Sequence, residues 1–161
     1  MIIKKIKKNK GFVILFAVML SSILLAIALG VSNIAFREVT FGTSAKDAND
    51  AFFAADVGAE CALFYDKSLP ANNAFTVGQS FAGPMNCAGS HVALVGDTGP
   101  SWSFDVVGLG SNGKSCAKVT VDKSIEPITI ISKGYSSDNI GDTSCTPLSN
   151  SLERELEVTY E

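Results

Sequence analysis

The chain has 161 residues, 47% of them hydrophobic, with 13 basic and 16 acidic side chains. That length suits one ordinary domain plus a membrane segment. The charges are segregated, with five lysines in the first ten positions and every acidic residue after them, which leaves no cation cluster on the folded part to serve as a nucleic-acid footprint.

The first element in chain order is a basic leader, residues 1–11, holding Lys4, Lys5, Lys7, Lys8 and Lys10 and ending in Gly11. From Gly11 to Phe36 there is no formal charge. As an α-helix this run is about 39 Å long, enough to span a bilayer core of about 30 Å. Lysines before the run and few cations soon after it predict the N-terminus inside and the remainder outside the cytoplasmic membrane. Ser21 and Ser22 interrupt the run and are expected to bond back to carbonyls of the preceding turn. Ala26-Ile27-Ala28 offers a weak small-x-small site for ordinary signal peptidase, but the hydrophobic stretch before it exceeds the usual 7–15 residues of such a signal.

The next segment, residues 37–66, contains no proline and continues the helix. Phe41, Ala45, Ala48, Phe52, Ala55, Ala59 and Ala62 recur at steps of four and three, which predicts one apolar stripe. Pro70 marks the expected stop. One helix is thus expected from Phe12 to about Tyr65, roughly 80 Å long. Its first half, residues 12–36, is apolar all round, and its second half, 37–66, is amphipathic. A membrane anchor alone has no need of the second half.

These residues resemble a known family. The short basic leader, Lys10-Gly11-Phe12 and the apolar run that passes into an amphipathic helix are similar to a type IV pilin-like precursor, with its class III signal peptide. The stretch "SAKDANDAFFAADVGAECAL", with the core Ala51, Phe52, Phe53, Ala54, Ala55 and Asp56, resembles PilX-type minor pilins and pseudopilins. The resemblance implies a prepilin peptidase cut after Gly11, methylation of Phe12 as the new N-terminus, and an apolar helix that leaves membrane lipid to pack among other pilin subunits in an extracellular filament. It also implies an α+β, pilin-like fold, and the residues themselves offer no catalytic, cofactor or metal-binding motif, so no enzyme, cofactor or metal is expected. Major pilins usually carry a glutamate at the fifth mature position, which here is Phe16. The resemblance therefore points to a minor subunit at or near a filament tip, acting in assembly, adhesion, DNA uptake or secretion. An uncleaved single-span membrane protein with an extracytoplasmic binding domain, and a secreted enzyme, are the alternative readings.

Residues 67–161 change texture to short alternations separated by Gly, Asn, Ser and Asp. "WSFDVVGL", "CAKVTVDK", "PITIISKGYS" and "LERELEVTYE" read as strands, and "HVALVG" as a further one. Together they predict an antiparallel sheet of four or five strands with one face against the helix. Cys61, Cys87, Cys116 and Cys145 form no Cys-x-x-Cys pair, so they read as two disulfides, with three connectivities open. Local loop closure favours Cys61–Cys87 with Cys116–Cys145. Asp138, Asn139 and Asp142 have calcium-ligand chemistry without EF-hand spacing and read as a solvated turn. Glu153, Glu155 and Glu157 read as a solvated strand face rather than a metal set. Ser101 and His91 lack triad context, and Trp102 beside Phe104 reads as core.

Overall fold

The computed structural model describes residues 10–68, 73–81, 83–96, 98–139 and 141–161. The leader residues 1–9 and the expected stop at Pro70 lie outside the described residues. The chain divides into two compact units between Thr43 and Ser44.

A single helix, α1 (Lys10–Lys67), begins in the first unit and ends in the second. In the first unit its described side chains, from Phe12 onward, are all exposed. Ser21 Oγ donates to the Ala17 carbonyl at 2.7 Å and Ser22 Oγ to that of Met19 at 2.8 Å. Their hydroxyls are thereby satisfied within the helix, which an apolar surrounding requires.

The second unit packs α1 on a sheet. Among the described residues six strands follow the helix: β1 (Met85–Cys87), β2 (Ser90–Val92), β3 (Ser101–Leu109), β4 (Ser115–Asp122), β5 (Ile128–Tyr135) and β6 (Glu153–Tyr160). β3 to β6 form a four-stranded antiparallel sheet in sequence order, and β1 and β2 form a separate hairpin. The architecture is α+β, one long N-terminal helix packed on a C-terminal antiparallel sheet. Strand alternation sets the inner face: Trp102, Phe104 and Val106 from β3, Ala117, Val119 and Val121 from β4, and Ile130 from β5 are buried, at the period of two that a pleated strand imposes. Phe75 completes the core, its ring 5.7 Å from Trp102 and 6.1 Å from Phe104.

The helix presents a stripe that keeps Ala55, Ala59 and Ala62 of the expected one but not Phe52. Ala51, Ala54, Ala55, Ala59 and Ala62 are buried together with Gly58, whereas Phe41 is 78% exposed and Phe52 44%. The reason is closeness of approach. A Cβ placed on Gly134 of β5 would lie 2.0 Å from the Ala51 carbonyl oxygen and 2.4 Å from the Ala55 nitrogen. A Cβ on Gly58 would lie 2.5 Å from Ser132 Oγ and 2.7 Å from Val119 Cγ2. Helix and sheet meet nearly backbone to backbone, where only alanine and glycine fit, so Phe52 stays outside the contact, and Phe41 belongs to the first unit.

The "HVALVG" stretch splits between two partners. Ser90–Val92 pairs with β1, a strand the alternation did not reveal, and Val95 bridges to Ser103 through two 2.8 Å backbone hydrogen bonds. The β1–β2 turn consists of Ala88 and Gly89, both in the left-handed region at φ 49° and 81°. That matches a type I′ hairpin, whose backbone twist suits the flanking strands.

Candidate functional site

The four cysteines pair as Cys61–Cys87 and Cys116–Cys145, with Cα separations of 5.8 and 5.6 Å. The first ties the hairpin to α1. The second ties the long β5–β6 connection to β4. Each closes a loop, of 26 and 29 residues in sequence separation, and loops of that size stabilise by about 3–4 kcal/mol in the chain-entropy model.

The Asp138 region is an organised turn. Asp138 Oδ1 accepts from the backbone N–H groups of Asn139 and Thr146 at 2.8 and 2.7 Å, and Asp142 Oδ2 accepts from the Thr146 hydroxyl at 2.9 Å. Asp138, Cys116 and Cys145 lie close enough to share an ion. However, both sulfurs are held in the disulfide, and only a free thiolate binds a metal. Two of the strand-face glutamates are paired rather than free: Lys133 Nζ lies 3.1 Å from Glu155 and 3.5 Å from Glu153. The hydrogen bond to Glu155, and then the charge of Glu153, hold the Lys133 ammonium above its ordinary value. Trp102 is fully buried in the core and His91 is exposed on β2.

One polar cluster joins residues far apart in the sequence. Asp66, in the last turn of α1, is buried and accepts from Lys123 Nζ on one oxygen and from the Tyr160 hydroxyl on the other. Asn73 donates to the Asp66 carbonyl at 2.7 Å, and Lys67 lies 3.9 Å above the Tyr160 ring. An acid at a helix C-terminus opposes the helix dipole, and the Lys123 ammonium offsets that penalty. The cluster clamps the helix end to the final strand. Burial, with the hydrogen bond to Asp66 and that residue's charge, pushes the Tyr160 phenol well above its ordinary value. The sequence hint was an aspartate closing an alanine-rich helix, but its partners lie 57 and 94 residues away.

The processing candidates Gly11 and Phe12 sit in the first turn of α1, and Phe12 is 76% exposed. From there the helix is long and apolar enough to cross a membrane. Val13, Ile14, Leu15, Phe16, Leu24 and Leu25 are each more than half exposed. A face of this kind excludes water only against lipid or other helices. In the second unit Phe53 is 60% and Phe64 68% exposed. This surface, rather than a cleft lined by titratable groups, is the feature of the described residues that calls for a partner. Compared with protein families, characterised proteins and solved structures, the chain finds no match.

Proposed function

We propose that this chain is a minor type IV pilin or pseudopilin. A prepilin peptidase cuts it after Gly11, Phe12 becomes the methylated N-terminus, and the retained helix passes from the cytoplasmic membrane into the core of a surface filament at or near its tip. The observation that carries the reading is α1 itself: one helix whose first part is apolar on every face and whose last part holds a disulfide-stapled sheet by a small-residue stripe. A membrane anchor needs only the first part. A subunit held among neighbouring helices needs both, because the domain must be fixed to the rod that positions it. Phe16 supports a minor rather than a bulk role. A bulk subunit needs an acid at that depth to pair with its neighbour's N-terminal ammonium, since an unpaired buried charge costs several kcal/mol.

The test is the mass of the mature N-terminus from the native cell envelope. A chain beginning at N-methylated Phe12 is the expected result. An intact lysine-rich leader would instead establish an uncleaved membrane protein, and a start near Leu29 a secreted one. Gly11→Val should block maturation, leaving the precursor at full electrophoretic size.

A further inference from the structure

We infer that the outward face of α1 between Asp50 and Phe64 docks a helix of a different chain, one whose apolar stripe is flanked by lysine or arginine. The inference rests on the filament reading for the parallel orientation of neighbouring helices, and otherwise on this face alone.

Phe53, Val57, Glu60 and Phe64 follow one another at steps of four, three and four, so they share a face. That face lies opposite the alanines that meet the sheet. Phe53 and Phe64 are largely exposed, and Val57 is half-buried. Beside them, Val57 and Phe64 line a groove of about 490 Å³ between α1 and the β1–β2 hairpin. Between the two ends of this stripe, marked by Lys46 and Lys67, the flanking charge has one sign. Asp50 flanks it on one side, Asp56 on the other, and Glu60 stands within it. Between Lys46 and Lys67 the outward side of the helix carries Asp50, Asp56 and Glu60 and no base, while Asp66 is buried and paired with Lys123. Among the described residues none of Asp50, Asp56 and Glu60 takes part in an ion pair.

This pattern selects the occupant. Two copies of this chain anchored in one membrane run parallel, which sets Asp56 and Glu60 against their own counterparts, and like charges so placed repel. A basic-flanked helix gains at the same positions and can bury both phenylalanines. Such complementarity fixes partner choice more than raw affinity. It therefore gives this subunit a heterotypic neighbour instead of a run of its own kind.

The test uses the full chain in nanodiscs of zwitterionic lipid and two synthetic amphipathic helices. The peptides share one leucine stripe, flanked by lysine in one and by glutamate in the other, and binding is read by fluorescence anisotropy with empty discs as blank. The lysine peptide should bind at least tenfold more tightly at about 0.05 M salt, with most of that preference lost at about 1 M, where the screening length falls to about 3 Å. Phe53→Ala with Phe64→Ala should weaken it at least tenfold. Asp56→Lys with Glu60→Lys should reverse the preference. All four side chains are at least partly exposed, so these variants keep the fold, and an unchanged melting temperature checks this. Equal binding of the two peptides would overturn the inference, as would a preference that survives the charge reversal. So would sedimentation of the chain in detergent as a dimer that Phe53→Ala dissolves, because the occupant would then be a second copy. A chain that matures at Phe12 but shows no peptide preference refutes the docking face alone. An uncleaved chain that keeps the preference refutes the filament reading alone.

Discussion

Adding one methyl group at Gly134 should cost more than any single conservative change elsewhere in the sheet. The new Cβ would sit 2.0 Å from the Ala51 carbonyl oxygen and 2.4 Å from the Ala55 nitrogen. Both are backbone atoms of a hydrogen-bonded helix, so no side chain can swing aside. Restoring an ordinary contact of about 3.5 Å requires helix and sheet to part by roughly 1.5 Å, and a gap of 0.5–1 Å already forfeits a quarter to a half of each dispersion contact. Ala54, Ala55, Ala59 and Ala62 would all lose contact. Overpacking typically costs about 1–3 kcal/mol, and a rigid backbone neighbour sets the upper end, so Gly134→Ala should cost about 3 kcal/mol. At about 4 °C per kcal/mol for a unit of this size, the melting temperature falls by about 12 °C. The assay is thermal unfolding of the full chain in detergent with both disulfides intact, followed by near-ultraviolet circular dichroism of buried Trp102. A loss below about 3 °C would refute the close-approach argument. Gly42→Ala is the contrast, since a Cβ there meets nothing within 4 Å and alanine raises helix propensity by about 1 kcal/mol.

Three further outcomes follow from the same packing. Among the described residues Ser132 Oγ, which is buried and faces Gly58, has no hydrogen-bond partner; Ser132→Ala should stabilise by about 1 kcal/mol and should soften the penalty of Gly58→Ala in a double-mutant cycle read by denaturant unfolding. Lys123→Met leaves Asp66 buried with its cation removed, so it should destabilise by about 3–5 kcal/mol, and the paired Lys123→Met, Asp66→Leu variant should recover most of that loss. Tyr160 holds its proton more tightly folded than unfolded, so its contribution is fully present below the unfolded phenol value of about 10 and is lost as pH rises above it. Tyr160→Phe should therefore flatten the alkaline fall in stability between about pH 10 and 12.

Much of the architecture was readable from period alone. The charge-free run, the helix carried through Ala45 and Ala55, and the alternation in β3, β4, β5 and β6 each follow from local spacing. The rotation of the helix was readable only in part: Ala55, Ala59 and Ala62 of the expected stripe are buried, but Phe52, with the same spacing, is 44% exposed. It loses to smaller residues only once Gly134 and Gly58 bring the backbones together, which is a property of two distant segments. β1 escaped for the opposite reason: three residues are too few for a period, and the hairpin depends on Ala88 and Gly89 adopting left-handed turns. The Asp66, Lys123 and Tyr160 clamp is likewise invisible along the chain. The outward phenylalanines of the candidate surface were visible as residues, but their exposure became clear only when the alanines claimed the sheet.

On the proposed pilin reading, the apolar helix stays on the chain and is lodged among sister helices. The most direct measurement is mass spectrometry of fibres sheared from the native cell, together with their basal machinery, seeking this chain's N-terminal peptide. The expected peptide starts at methylated Phe12 and continues through Leu29, at low copy number relative to the bulk subunit. Fibres and machinery without the chain, or a chain that has lost residues 12–28, would contradict it.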